Sequence, residues 1–301
     1  MAVSPRKPLN VDHLVLPVTN LEICRKRLSA LGFTVAPDAL HPFGTENACV
    51  FFRDGTYLEP LAIGHRETCE KAALKGNMFV ARDQAYRFRR GDEGFSALVL
   101  ATDDADGDHK SFQKLGISAG RQLKFSRMFK DKDGKESEGA FKLSFAADLR
   151  SPDSFFFTCE RMNVPKIDRS ALEKHANGAV SITEIALGEP NPSDFQYVLQ
   201  EVLNQREINS HSFGIELQSG NANIAVYGAD GLKAWYGIES GCHSGAAGRG
   251  LRFRAFSVGV TDLKAVAKHL KKNKIKTKKI AQRLVVDHAP GQGCVIAFEE
   301  V

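Results

Sequence analysis

No stretch of the 301-residue chain holds about 18 consecutive apolar residues, so no membrane-spanning helix is expected. Met1 to Pro8 lacks the apolar core of a secretory signal, and the expected setting is soluble and cytoplasmic. The cysteines, at positions 24, 49, 69, 159, 242 and 294, include no CxxC pair. Placed mostly within apolar runs, they are expected as reduced core thiols. Charge of one sign is not in great excess, with 41 Lys and Arg against 36 Asp and Glu. The one basic run is Lys271-Lys272-Asn273-Lys274-Ile275-Lys276-Thr277-Lys278-Lys279, and no aromatic residue interleaves with it. A solvated helix end followed by an exposed loop or edge strand accounts for it, so neither nucleic acid nor membrane is expected as a partner.

What is present is an ordinary globular composition, 43% hydrophobic and 26% charged, on a chain long enough for one large domain or two of ordinary size. The phrase Val11-Asp12-His13-Leu14-Val15-Leu16-Pro17 is a strand, and Asn20 follows as the N-cap of a helix ending at Gly32. Strands at Ala48 to Phe52 and Thr56 to Ile63, joined at Asp54-Gly55, complete the unit. Residues 64–93 are expected to connect, with one or two helical turns. Second, third and fourth copies of the phrase open at Phe95, Ile182 and Phe253. The third should close with a strand over Leu232 to Ile238 after an Asp230-Gly231 turn. Laid on one another without gaps, the copies match His13 with Ala97, Glu184 and Ala255. A βαβββ unit of roughly 50–65 residues thus recurs four times. The fold class expected is α+β, four βαβββ units forming two cup-shaped mixed-sheet domains. Residues 1–162 are the first domain, 163–178 the linker and 179–301 a second, diverged domain. The pairing is first unit with second and third with fourth.

The first unit, with Val11 to Leu16, Leu31-Gly32-Phe33-Thr34-Val35, His41-Pro42-Phe43-Gly44-Thr45-Glu46-Asn47 and Asp54-Gly55-Thr56-Tyr57-Leu58-Glu59, resembles the glyoxalase-like branch of the vicinal oxygen chelate superfamily. The likeness covers residues 10–160 well and 179–301 in outline. It implies cup-shaped sheets around a metal whose ligands sit on the first and last strands of the units. His13 and Glu59 are the matching residues, a pair suited to a divalent Zn, Fe, Mn or Ni ion. The second unit should supply two more, but the register offers Ala97 and Thr158. The third offers Glu184 and Trp235, the fourth Ala255 and Ala297. Glu184 is expected as a relic or a surface charge, and Cys159 on the face opposite the site.

His41 is then the candidate third ligand or proton carrier, and Asn47 binds substrate or caps its loop. The resemblance implies a metal-dependent lyase, isomerase or dioxygenase acting on a small oxygen-chelating substrate. A metal-free binding or sequestering protein of the same fold stays open, with Phe51, Phe155, Phe157 and Trp235 as walls. The expected partner is a small molecule, and a homodimer stays open as the assembly.

Overall fold

A computed structural model describes residues 7–130, 136–165, 168–239 and 249–301. Residues 1–6, 131–135, 166–167 and 240–248, Cys242 among them, lie outside the described residues. The other five cysteines are buried and unbridged. Among the described residues no helix is long and apolar enough to cross a membrane.

The first unit comprises β1 (Val11–Pro17), α1 (Leu21–Ala30), β2 (Ala39–Leu40), β3 (Thr45–Asn47), β4 (Val50–Phe51) and β5 (Tyr57–Ile63). Helices α2 (Arg66–Leu74) and α3 (Met78–Arg90) follow. The second unit is β6 (Ala97–Thr102), α4 (Ala105–Lys114), β7 (Leu123–Lys130), β8 (Glu136–Ala146) and β9 (Phe155–Met162). The third is β10 (Ala179–Gly188), α5 (Gln196–Leu203), β11 (Asn209–His211), β12 (Gly214–Gln218) and β13 (Asn223–Tyr227), followed by α6 (Ala229–Tyr236). The fourth is β14 (Arg252–Val260), α7 (Leu263–Lys272), β15 (Lys278–Ile280), β16 (Arg283–Val286) and β17 (Val295–Glu300). Three of the four unit helices start on an Asx side chain that accepts from a first-turn amide: Asn20, Asp104 and Asp262. The third has no such cap and instead enters through a 3-10 turn at Pro192–Phe195.

The first two units share one curled sheet, ordered β2-β3-β5-β1-β6-β9-β8-β7 with β4 also on β5. The last two share another, ordered β11-β12-β13-β10-β14-β17-β16-β15. In each, two first strands meet antiparallel at the centre and each last strand lies parallel beside its own first strand. The basic run falls on the end of α7 and on β15, an edge strand, as expected.

Alternation along β1 separates two faces. Leu14 and Leu16 join a core that includes α1, α5 and α7 and residues of both sheets. Phe33 stacks on Phe298 and Phe95 on Phe253 across it, with centroids 5.9 and 4.3 Å apart. Val15, by contrast, faces the inside of the first cup with Ala97, Val99, Phe155 and Phe157.

The ladders uphold the equivalence of His13, Ala97, Glu184 and Ala255. His13 pairs with Val99 and Val15 with Ala97, as a two-fold through the sheet requires; Glu184 with Ser257 and Ala186 with Ala255 repeat it. They correct two other positions. Glu59 corresponds to Phe157, not Thr158, because β1 meets β5 as β6 meets β9. Its counterpart in the third unit is Ala225 rather than Trp235, which lies on α6. Leu232 to Ile238 is therefore not a strand; Ala229–Tyr236 is a helix. In the fourth unit the counterpart is Ala297, as expected. The segment over 64–93 is also more regular than its polarity suggests. Asn77 caps α3, and Phe79 and Val80 on its first turn are buried against the cup.

Candidate active site

The side chains of His13, His41, Asn47 and Glu59 come together, all buried, on the inner face of the first cup. His13 sits on the central strand and Glu59 on the adjacent parallel one. His13 Nε2 lies 3.3 Å from Glu59 Oε2, and His41 Nε2 lies 3.7 Å from Glu59 Oε1. Asn47 donates from Nδ2 to Glu59 Oε1 at 2.6 Å, and its amide also lies 3.4 Å from His41 Nε2. Asn47 thus contacts the carboxylate rather than merely closing its loop.

The His41 loop is folded inward by a tight turn. The His41 amide donates to Thr45 O, and Gly44 takes φ +97°, a left-handed conformation that a side chain resists. A Cβ on Gly44 would stand 2.7 Å from His65 O and 2.9 Å from Cys69 N. The turn is therefore pressed against the start of α2. The His41 ring stacks on Phe43, with Nδ1 3.0 Å from Thr45 Oγ1.

Behind His13 stands a residue that the sequence pattern hid. Asp12 Oδ1 accepts from His13 Nδ1 at 2.6 Å, and the carboxylate also accepts from Arg161 Nη2 at 2.8 Å. Strict alternation would turn Asp12 away from His13. The β1·β6 ladder shifts register between Val11 and His13, and such an irregularity re-aims a side chain. The Asp-His dipeptide was the available signal.

These contacts set the charges. Burial opposes the His13 imidazolium, but the Asp12 and Glu59 carboxylates outweigh it and raise its pKa. Burial likewise works against the Glu59 carboxylate, and the neighbouring His13, His41 and Asn47 bring it down to about 2. Burial takes His41 down to about 4, leaving it neutral near pH 7.

The walls are aromatic. Tyr57 stacks on His13 with centroids 4.3 Å apart, and Phe157 meets its edge at 6.0 Å. Phe79, Phe125 and Phe141 close a cavity of about 30 Å³, room for little more than a water or an ion. Cys159 lines it as well, so that thiol faces the site, contrary to expectation. A second cavity of about 530 Å³ adjoins the first and shares Tyr57, Arg127 and Phe141 with it.

A divalent ion needs several donors with their lone pairs turned inward. The donor set here fits such an ion in kind: two imidazoles and one carboxylate. Each ring is anchored through its other nitrogen, by Asp12 and by Thr45, as ligating histidines are. The set is not closed around a point, and among the described residues no group of three or more His, Cys, Asp or Glu converges as a metal centre. Ala97 and Phe157 stand where the second unit would contribute.

On the second sheet the one His–Glu pair among the described residues, His211 Nε2 with Glu216 Oε1 at 3.1 Å, is partly exposed and lies on the outer strands rather than on the first and last strands of a unit. Glu184 is buried, not at the surface, and accepts from Tyr236 Oη, Arg283 Nη1 and Asn223 Nδ2 at 2.7, 2.9 and 3.0 Å. Ala186, Ala225, Ala255 and Ala297 leave room on that face, which Leu232 and Tyr236 of α6 fill.

Residues 11–203 match the glyoxalase-like domain family, and the chain belongs to it. No curated protein matches the chain in sequence. Among solved structures, a hypothetical protein from Staphylococcus aureus superposes with a TM-score of 0.67 at 12% identity, over 97% of this chain and 100% of the other. Homoprotocatechuate 2,3-dioxygenase from Arthrobacter globiformis gives 0.56 at 11%, over 100% and 82%. The Mn(II)-bound glyoxalase from Novosphingobium aromaticivorans gives 0.55 at 11%, over 98% and 83%. At these identities the likeness is one of fold.

Proposed function

We propose that the chain is a metal-dependent enzyme of the lyase, isomerase or dioxygenase type. It would act on a small oxygen-chelating molecule in the N-terminal cup. The observation that carries this reading is the buried His13–Glu59–His41 cluster, with neighbouring donor atoms 3.3 and 3.7 Å apart and both rings anchored from behind. His13 Nε2 and the Glu59 carboxylate would hold the ion. When bound, a divalent ion supplies Lewis-acid stabilisation of an oxyanion on the substrate. Asp12 keeps the His13 proton on Nδ1 and so leaves Nε2 for ligation. Asn47 orients Glu59 through its 2.6 Å hydrogen bond, a positioning role in addition to any contact with substrate. His41 is either the third ligand or the group that carries a proton at Nε2. The phenylalanine walls leave room for little more than one water beside the cluster. The inner cavity is too small for a substrate body, which belongs in the adjoining 530 Å³ cavity with its reacting end at the cluster.

A second reading, a metal-free binding protein, is favoured by Ala97 and Phe157 at the partner positions and by the lack of a three-donor convergence. Metal content separates the two. Protein purified without tag or chelator should carry a near-stoichiometric transition metal that both His13→Ala and Glu59→Ala lose. His41→Ala assigns His41, which is a ligand if the metal goes and a proton carrier if the metal stays. Protein isolated metal-free that takes up no added Mn(II), Fe(II), Zn(II) or Ni(II) would refute the enzyme reading.

A further inference from the structure

The 530 Å³ cavity has a composition unlike the rest of the molecule. Arg127 comes from β7, Arg161 from β9, and Arg169 from the segment that follows the first sheet; all three line it. Among the described residues Glu173 is the one carboxylate on its wall, beside three guanidiniums of which Arg161 is paired with Asp12 behind it. Phe51, Tyr57 and Phe141 supply flat apolar surface between them.

The arginines are held rather than loose. Arg161 has its Nη2 on Asp12 and its guanidinium 5.7 Å from the centroid of Tyr57, with 38% of the side chain exposed. Arg127 lies 5.6 Å from the centroid of Phe141. Arg169 lies 4.5 Å from the centroid of Phe51 and is half-buried, and among the described residues no carboxylate comes within ion-pair distance of it. Burial pulls its pKa down, the sign of a charge short of compensation. Two other arginine-lined cavities differ because their arginines already have carboxylates: Asp153 pairs with Arg89, Arg90 and Arg252 at one, and Glu70 and Asp83 pair with Arg66 and Arg87 at the other. A guanidinium lying on an aromatic face, short of water and without a carboxylate, is a recognition element for a planar or tetrahedral oxyanion.

We propose that this cavity binds the anionic end of a small organic acid, a carboxylate or phosphate monoester with a flat apolar body, and that Arg169 is its principal specificity residue. The arginine shelf holds the anion, while Phe51 and Phe141 flank the body. Tyr57, which lines both cavities and stacks on His13, marks the passage to the cluster. Arg161 couples the two places through Asp12 to His13. The inference deepens the preceding reading and rests on it for what becomes of the bound anion. The binding itself does not depend on chemistry at His13.

The test is calorimetric titration of the metal-free 301-residue protein with benzoate, phenyl phosphate and the neutral benzamide. Benzoate or phenyl phosphate should bind at least tenfold more tightly than benzamide, and the tighter of the two identifies the anion class. Arg169→Gln should weaken that binding at least tenfold with an unchanged melting temperature, and Arg169→Lys should recover part of it. Benzamide binding as well as the anions, or a well-folded Arg169→Gln that binds as wild type, would overturn the proposal. His13→Ala should still bind the anion. Anion binding without metal uptake would therefore sink the enzyme reading alone, and metal uptake without anion selectivity the cavity assignment alone.

Discussion

Replacing Asp12 by Asn tests whether the cluster is organised from behind His13. The substitution keeps the shape and removes the charge. Asp12 is buried and accepts from His13 Nδ1 at 2.6 Å and from Arg161 Nη2 at 2.8 Å. Charge-assisted hydrogen bonds are worth about 1.5–3 kcal/mol each. An asparagine oxygen can still accept one of the two, but its amide would confront the donors of the other. Arg161 is 38% exposed, so water compensates part of its loss. The expected net cost is about 2–3 kcal/mol.

The pH dependence carries a sign. The His13 pKa is raised in the folded protein, so its contribution is fully present below the unfolded value and fades as pH rises through the folded one. Asp12 is the first of the groups that raise it. Asp12→Asn should therefore cost more at pH 5.5 than at pH 8.5. Urea unfolding followed by far-ultraviolet circular dichroism, with EDTA present, measures both. A cost below about 0.5 kcal/mol at both pH values, or a larger cost on the alkaline side, would refute the argument.

Gly44→Ala should destabilise by at least about 2 kcal/mol, because it combines a left-handed backbone with a Cβ 2.7 Å from His65 O. An unchanged thermal midpoint would show that the His41 loop is not pinned there. Tyr236→Phe strips Glu184 of the 2.7 Å bond and Ser257 of the 2.9 Å bond, and should cost about 1–3 kcal/mol. Its metal content and benzoate affinity should match wild type, since both sites belong to the other sheet. A fall in either with stability intact would contradict that separation.

Much of the fold was legible because repetition is a strong signal. Four copies of one strand-and-helix phrase, with Leu28, Leu199 and Leu270 at matching core positions, define the units, and the capping residues Asn20, Asp104 and Asp262 mark where three helices begin. His13, Glu59, His41 and Asn47 could be singled out from the first copy alone, and they do share one inner face. The misses came from phase and context. A strand has a period of two residues, so placing the partner position at Thr158 instead of Phe157 exchanged the cup face for the outer one and turned Cys159 the wrong way. Ala229–Tyr236 opens on Asp230-Gly231, a turn signal, yet becomes a helix because the alanine-lined second cup leaves a space that Leu232 and Tyr236 fill.

By itself the sequence determined the repeating units, the equivalent positions on their first strands and the residues able to carry chemistry, since these follow from local periodicity and side-chain type. Only the tertiary structure decided that Asp12 backs His13, because a shift in the ladder and not the alternation aims it. Only the structure brought Arg127, Arg161 and Arg169 to one cavity, because they come from two strands and a connecting segment that no local pattern relates.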